Sequence, residues 1–281
     1  MTTGREPDKT EAPAHGQTMT QTFLEGLGVP KIGPRTSPFD PGYDPRTVES
    51  HLEQSAHLID VLKISMACWI IADEQATRAK IAAATRRGVP ATTGGGPFEI
   101  AVAQNRFSEY LELCAALGFT RIECGEGFTD LPLGPQTIVD AATELGLEVQ
   151  FELGKKHIGA FRRSIVEELI AQGQSWLDAG ALCLVVEARE SAAGVGLFAE
   201  DGTLNEGFAD RFAEAFSLDV VTFEAPNKPS QFALLDHFGP KVKLSNVRLE
   251  ELLRVEIYRH GLHSDAFGKE NLRPATTAKS V

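Results

Sequence analysis

Short apolar runs alternate with helical patterns along most of this chain, and a glycine precedes most of the runs. Gly88, Gly118, Gly146, Gly180 and Gly239 each fall between the end of a helical pattern and the start of an apolar run. Such glycines are typical of the loops that join crossover helices to parallel strands. With an initial strand near residues 33–37, about eight strand–helix units result. The sequence therefore predicts an α/β fold, a (β/α)8 TIM barrel with a closed parallel eight-stranded sheet.

The length of the chain fits one such barrel, since 281 residues compare with about 250 in a typical member of the fold. Residues 1–28 are polar and lack hydrophobic periodicity, which predicts a disordered N-terminal tail with a short helix at residues 22–27. Residues 29–269 are predicted to form the barrel, and residues 270–281 a flexible C-terminal tail. A doubly wound open sheet is the alternative, but the glycine-rich phosphate turn after its first strand is missing.

Two local predictions concern the first half of the barrel. Residues 57–64 (HLIDVLKI) form an apolar run that indicates a strand ending near Lys63. The glycines at residues 94–96 fit neither the dinucleotide-binding nor the P-loop pattern. They are predicted to form a loop, which is either a plain connection or one that cradles an anion.

Four glutamates lie where predicted strands end, and each precedes a loop that contains Gly or Pro. The C-terminal ends of the strands meet at one mouth of a TIM barrel, where catalytic residues are found. Four carboxylates at one mouth would repel one another unless Mg²⁺ or neighbouring Lys and Arg side chains neutralised them. The sequence therefore predicts an active site at this mouth, with either Mg²⁺ as cofactor or neighbouring basic side chains to balance the charge. The candidate metal ligands are Glu123, Glu152, Glu187 and Glu224.

Basic residues accompany these glutamates. Lys155 and Lys156 follow Glu152 by three and four residues, and Arg189 follows Glu187 by two. Lys63 lies in an apolar run, where an ammonium group needs a partner or a cavity. Runs of charge are more often solvated surface, but their closeness to strand ends favours a mouth that binds an anionic small molecule.

Composition excludes several other classes of function. A net charge of −12 and a pI near 5.1 argue against binding to nucleic acid, which needs a basic surface. No apolar run reaches the length of a membrane helix and no secretory signal is visible, so we expect a cytoplasmic protein. The four cysteines lack metal-ligand spacing and are expected to be buried thiols; a nucleophilic Cys124 is the alternative. The sequence leaves homo-oligomerisation open.

Several strings of the sequence, taken together, resemble the phosphosulfolactate synthase family. Their order and spacing agree from about residue 33 to residue 269. They are residues 151–156 (FELGKK), 186–191 (VEARES), 194–198 (GVGLF), 223–226 (FEAP), 244–247 (LSNV) and 261–268 (GLHSDAFG). Members of that family are Mg²⁺-dependent (β/α)8 barrels that add sulfite to phosphoenolpyruvate, giving 2-phospho-3-sulfolactate.

The resemblance implies roles for the candidate residues. Lys155 is the expected donor of the proton that C2 of the substrate receives. Lys63 and Arg189 are expected to hold phosphate, carboxylate or sulfite. Lys156, Asn246 and the backbone of Gly95 are expected to contact the substrates, while the four glutamates bind the metal or surround its ligands.

The chain departs from the family at the mouth, in residues 64–69 (ISMACW), 92–97 (TTGGGP) and 125–128 (GEGF) and at Ala188. Specificity is set on that side of a barrel. Two alternatives therefore stay open beside sulfite addition. One is a related enzyme that uses another nucleophile or another enol phosphate, and the other is a non-catalytic barrel like the plant heat-stress-associated proteins that resemble this family.

Overall fold

The computed structural model describes residues 18–273. Eight parallel strands close into a barrel, in the order of the chain from β1 to β8, so the predicted TIM barrel is confirmed. The strands are β1 (Thr36–Asp40), β2 (Leu62–Ile64), β3 (Ala91–Thr93), β4 (Arg121–Gly125), β5 (Glu148–Leu153), β6 (Cys183–Val186), β7 (Val221–Glu224) and β8 (Lys243–Arg248).

Helices follow the strands and surround the barrel. None of those within residues 18–273 is both long and apolar enough to cross a bilayer. They are α1 (Met19–Gly26), α2 (Pro45–Ser55), α3 (Cys68–Ile71), α4 (Glu74–Thr85), α5 (Gly95–Ala103), α6 (Phe107–Leu117), α7 (Pro135–Glu144), α8 (Arg163–Asp178), α9 (Glu206–Phe216), α10 (Lys228–Phe238) and α11 (Leu252–Arg259).

The glycines that predicted the fold have the backbone conformation that the prediction requires. All five have a positive φ. Gly118 ends α6 in the left-handed region with φ +96°, and the amide of Phe119 then donates to the carbonyl of Cys114. This conformation reverses the chain after the helix and starts the next strand, and only glycine adopts it without a steric cost.

Three local predictions need correction. The first strand spans Thr36–Asp40 rather than residues 33–37. The predicted strand at residues 57–64 is a 3₁₀ turn followed by the short strand β2. Before β2 the backbone makes only an isolated bridge to β1, at Ile59, and continuous pairing begins at Leu62. Gly95 and Gly96 are not in a loop, since they form the first turn of α5.

The predicted tails lie largely outside the described residues, which exclude 1–17 and 274–281. Within the described part, α1 (Met19–Gly26) overlaps most of the segment 22–27 where a short helix was predicted. Thr18 caps α1: its hydroxyl accepts the amide of Gln21, whose side chain accepts the amide of Thr18. This reciprocal capping box fixes where the helix begins.

Two regions of the interior hold the residues of the site in position: an apolar layer around the barrel and a polar network inside it. Apolar side chains fill the layer between strands and helices, as where Phe151 stacks on Trp176 of α8 at 4.1 Å. The barrel interior is polar instead, although barrels usually fill it with branched apolar residues. Arg121 donates to Gln150 at 3.4 Å, and Gln150 donates to Glu123 at 2.8 Å. A hydrogen-bonded chain therefore runs through the interior toward the C-terminal mouth.

Candidate active site

A cavity of about 730 Å³ opens at the C-terminal ends of the strands, and residues in or after all eight strands line it. Its size is typical of a small-molecule site. Nine of the ten residues that the sequence singled out contribute to its wall, and Lys155 is the exception. The nine are Lys63, Gly95, Glu123, Glu152, Lys156, Glu187, Arg189, Glu224 and Asn246.

The four glutamates converge as their positions after apolar runs predicted. Glu123 and Glu152 lie near the ends of β4 and β5, Glu187 directly follows β6, and Glu224 is the last residue of β7. None is more than 3% exposed. Four neighbouring strands thus place four buried carboxyl groups at the bottom of one cavity.

Lys63 reaches across the barrel interior to these carboxylates. Its Nζ lies 2.7 Å from Glu123 and 3.9 Å from Glu224, and it donates to the side-chain oxygen of Asn246 at 3.1 Å. Burial by itself would lower the pKa of Lys63, but the charges of Glu123, Glu224 and Glu152 outweigh it and raise the pKa above its usual range. Lys63 is therefore a fixed cation of the site.

Glu123 has its oxygens occupied by the protein. Oε1 accepts the backbone amide of Gly95 at 3.0 Å in addition to facing Lys63, and Oε2 accepts the side-chain amide of Gln150 at 2.8 Å. The amide of Gly95, which was predicted to contact substrate, is therefore used to hold a carboxylate. Glu123 acts as an anchor between β2, β4, β5 and α5.

Glu224 is anchored in a similar way. Oε2 accepts the amides of Ala188 at 2.8 Å and Arg189 at 3.1 Å, and Oε1 accepts the side-chain amide of Asn246. Arg189 and Asn246 adopt positive φ values of +56° and +52°, a costly conformation for residues other than glycine. Burial, followed by the charge of Glu152, raises the pKa of Glu224 to about 7.

Lys156 pairs with the other two glutamates, Glu152 and Glu187. Its Nζ lies 3.5 Å from Glu152 Oε1 and 3.7 Å from Glu187 Oε2. Neither of these buried oxygens has a hydrogen-bond partner. Burial, followed by the charges of neighbouring glutamates, raises the pKa of Glu152 well above its usual value and that of Glu187 to about 7. These two carboxyl groups can therefore carry protons near neutral pH.

The predicted place of Lys155 beside the glutamates is wrong. Its ammonium group is half-exposed and pairs with the exposed Asp130 at 2.7 Å. It lines a separate, smaller cavity of about 340 Å³ next to α8. The reason is the alternation of β5, in which Gln150 and Glu152 face the interior; two further steps of the same alternation lead to Lys156. The cation that faces the glutamates is therefore the second lysine of the pair.

Two arginines lie at the mouth, and only one of them was predicted from the sequence. Arg189 was predicted; its guanidinium donates to the carbonyl of Lys156 at 3.0 Å and lies above the glutamates at the rim. Arg248, the last residue of β8, was not predicted. Arg248 lines the cavity and pairs with Glu250 at 2.6 Å. Both are placed to meet an anionic group that enters the cavity.

One sequence-based candidate loses support, and one buried residue near the site was not predicted. Burial raises the pKa of the Cys124 thiol well above its usual value, so the nucleophilic alternative finds no support. Glu99 on α5 was not singled out, yet it is only 1% exposed and its carboxylate accepts backbone amides of the loop after β4. No local pattern distinguishes it in the sequence, because its partners lie 28 to 30 residues away.

The four glutamates that were candidates for binding the metal or surrounding its ligands differ in how many protein donors they already bind. Within residues 18–273, no group of three or more His, Cys, Asp or Glu side chains is arranged to hold a metal ion. Glu123 and Glu224 already bind protein donors. Glu152 and Glu187 remain, each with a buried oxygen that lacks a hydrogen-bond partner. This pair fits Mg²⁺, which commonly binds to one or two carboxylates and completes its shell with substrate oxygens and water.

Comparison with known proteins decides the family. The profile of the (2R)-phospho-3-sulfolactate synthase (ComA) family matches residues 29–265. The chain belongs to the phosphosulfolactate synthase family. It is 33% identical to the phosphosulfolactate synthase of Methanocaldococcus jannaschii, over 82% of this chain and 92% of that protein. It is 26% identical to the Bacillus subtilis phosphosulfolactate synthase, over 81% and 90% of the two chains.

Solved structures support the fold alone. The 3-dehydroquinate dehydratase of Geobacillus kaustophilus superposes with a TM-score of 0.52 at 13% identity, covering 81% of this chain and 91% of that one. All ten candidate residues, from Lys63 to Asn246, lie inside the part matched by the phosphosulfolactate synthase family. The resemblance identified from local strings is therefore confirmed, and the protein is an enzyme of this lyase family.

The cavity also has an apolar wall. Met66, Ile100 and Phe128 line the cavity and are 56%, 53% and 46% exposed. Met66 and Phe128 lie in the strings that were expected to depart from the family pattern. Exposed apolar side chains grouped at a cavity mouth commonly contact a ligand.

Proposed function

We propose that this protein adds sulfite to phosphoenolpyruvate and forms 2-phospho-3-sulfolactate. The carrying observation is the ammonium of Lys156, held at the cavity floor between two buried carboxyl groups, within the phosphosulfolactate synthase family. Raised pKa values of Glu152, Glu187 and Glu224 reduce the negative charge of the site near neutral pH. The cavity can then accept anionic substrates despite its four glutamates.

The reaction needs two events at the substrate. The sulfur lone pair of sulfite forms a bond to C3, and the π electrons of the double bond move toward C2 and the carboxylate. C2 then takes a proton, for which Lys156 is the donor. A carbanion next to a carboxylate is far more basic than an amine, so an ammonium whose pKa is raised can still protonate it.

The cations of the site bind and orient the anionic substrates. Lys63 is the buried cation beside Glu123, while Arg189 and Arg248 lie at the rim, where a phosphate or sulfite group would enter. Their charges also offset the negative charge that moves onto the carboxylate during attack. Glu152 and Glu187, after losing their protons, would hold Mg²⁺, which would supply Lewis-acid stabilisation of that charge.

Product formation tests the proposal directly. The purified protein is incubated with phosphoenolpyruvate, sulfite and Mg²⁺, and the sulfonated product is detected by mass spectrometry. Product should appear only when all three are present. Lys156→Ala serves as the inactive control, and Lys155→Ala as the matched control whose side chain lies outside the cavity. The proposal fails if wild-type protein that binds phosphoenolpyruvate forms no product, or if Lys156→Ala forms it at the wild-type rate.

A second candidate function follows from the apolar wall of Met66, Ile100 and Phe128. An organic sulfinate presents the same sulfur lone pair as sulfite and adds an apolar substituent that this wall could contact. Attack at C3 and protonation of C2 would then give a sulfone. Competition assays with benzenesulfinate and sulfite distinguish the two functions. A higher kcat/KM for the sulfinate favours the second candidate, and a higher kcat/KM for sulfite excludes it.

A further inference from the structure

Glu99 ties α5 to the loop that follows β4. One carboxylate oxygen accepts the amide of Gly127 at 3.0 Å. The other accepts the amides of Phe128 at 3.0 Å and Thr129 at 2.9 Å, and the hydroxyl of Thr129 at 3.0 Å. Glu99 is 1% exposed, so these hydrogen bonds form in a protected environment. Three consecutive backbone amides are thereby fixed by one side chain.

Gly127, the first residue of this set, is packed against Lys156. The amide of Lys156 donates to the carbonyl of Gly127 at 2.8 Å. A Cβ atom on Gly127 would lie 2.6 Å from Cε and 3.1 Å from Cγ of Lys156. The aliphatic stem of the lysine therefore passes over the bare Cα of the glycine. Gly127 is not among the described glycines with positive φ, so the contact, rather than the backbone conformation, requires a glycine there.

We infer that Glu99 and Gly127 are positioning residues that direct the ammonium of Lys156 between Glu152 and Glu187. A lysine side chain has many rotamers, and holding it in one of them carries a large entropic cost. Packing of the stem against Gly127 restricts those rotamers, and Glu99 prevents Gly127 from moving away. The loop after β4 thus determines where a charge on the loop after β5 is placed.

The inference concerns the position of Lys156, and its link to turnover rests on the proposed function. The first measurement is therefore independent of activity. Competitive acetylation of lysines followed by peptide mass spectrometry reports how readily the reagent reaches the amine of Lys156, with Lys155 as an internal reference. The side chain of Lys156 is 29% exposed, and its Nζ lies 3.5 Å from Glu152 and 3.7 Å from Glu187. Gly127→Ala should displace the stem and move the amine out from between these carboxyl groups, so acetylation of Lys156 should increase.

A matched control lies in the same loop. Gly134 precedes α7, its φ is −73°, and an added Cβ would meet nothing within 4 Å. Gly134→Ala should leave the acetylation of Lys156 relative to Lys155 unchanged. Glu99→Gln is the second variant, because its amide group cannot accept all the hydrogen bonds that the carboxylate accepts. Like Gly127→Ala, Glu99→Gln should increase the acetylation of Lys156.

A double-mutant cycle provides the second measurement. Gly127→Ala should lower kcat about 100-fold, since a displacement of about 1 Å in a reacting group can have an effect of that size. In the Lys156→Ala background the stem is absent, so the same substitution should change the residual kcat less than about twofold. Additive effects would mean that Gly127 acts on the fold and not through Lys156.

The outcomes separate the two proposals. If no sulfonated product forms but Gly127→Ala and Glu99→Gln both increase acetylation of Lys156, the positioning inference stands and the proposed function fails. If acetylation of Lys156 is unchanged in both variants while circular dichroism shows them folded, the positioning inference is overturned. Should Gly127→Ala not fold, Glu99→Gln alone decides, by the same change or lack of change in acetylation.

Discussion

Removal of one buried carboxyl group should make this protein more stable at high pH. Burial, followed by the charge of Glu224, raises the pKa of Glu187 to about 7, while in the unfolded chain it has its ordinary value near 4.5. Below about pH 4.5 the group is protonated in both states and its ionisation costs nothing. As pH rises from 4.5 to 7, the unfolded chain ionises first, so the free energy of unfolding falls.

The size of the effect follows from the two pKa values. Each unit of difference corresponds to about 1.4 kcal/mol, and most of the difference develops between pH 5 and pH 8. Glu187→Gln keeps the shape of the protonated acid and cannot ionise. The free energy of unfolding of the variant minus that of wild type should therefore rise by about 2 to 3 kcal/mol between pH 5 and pH 8.

Urea denaturation followed by circular dichroism at the two pH values measures this difference. Glu112→Gln is the control, because Glu112 is exposed on α6 and its substitution should have the same small effect at both. An unchanged or smaller difference at pH 8 would refute the reasoning. It would mean that Glu187 is ionised in the folded protein without cost, with Lys156 as a sufficient partner.

Four further predictions concern the remaining groups of the site. Lys156→Ala should lower kcat roughly 10²–10⁴-fold, the range for loss of a general acid, while Lys155→Ala should change it less than about threefold; steady-state kinetics compares them. Arg189→Ala should raise KM more than it lowers kcat, if its contact is made equally before and during reaction. Lys63→Met should lower the free energy of unfolding, measured by urea denaturation, by about 3–5 kcal/mol, because it leaves the buried Glu123 without its cation. EDTA should abolish turnover and Mg²⁺ restore it; full activity in metal-free protein would exclude the metal role of Glu152 and Glu187.

The fold was predictable because local and global signals agree. Each of the five glycines had to reverse the chain after a helix, and each has a positive φ in the structure. The glutamates were predictable for a related reason, since a polar residue that ends an apolar run in a barrel lies at the mouth. Strand limits were harder to predict. Residues 57–64 have a strand-like pattern along their whole length, but continuous pairing with β1 and β3 is confined to residues 62–64, and the pattern does not show where that pairing begins.

Other parts of the site depend on contacts that a linear pattern does not contain. Glu99 is buried because three amides of a distant loop turn toward it. Gly95 lines the cavity, but its amide donates to Glu123, because α5 begins at Gly95, just after β3 ends at Thr93. Glu123 and Glu224 are anchored by protein donors, whereas Glu152 and Glu187 each keep one oxygen without a hydrogen-bond partner. This difference likewise depends on donors from five separate parts of the chain. Sequence position shows that carboxylates converge and does not show which of their oxygens are occupied.

The alternation of side chains along β5 distinguishes the two adjacent lysines. The even-numbered residues of β5 face the barrel interior, as Gln150 and Glu152 do. This alternation predicts an inward Lys156 and an outward Lys155, provided that it continues past the end of the strand. Gly154, with a φ of +120°, could have reversed it. The amide of Lys156 donates to the carbonyl of Gly127, which holds the chain beside the loop after β4 and keeps Lys156 facing inward. The loop after β4, which is far from the lysines in sequence, therefore determines which of the two reaches the site.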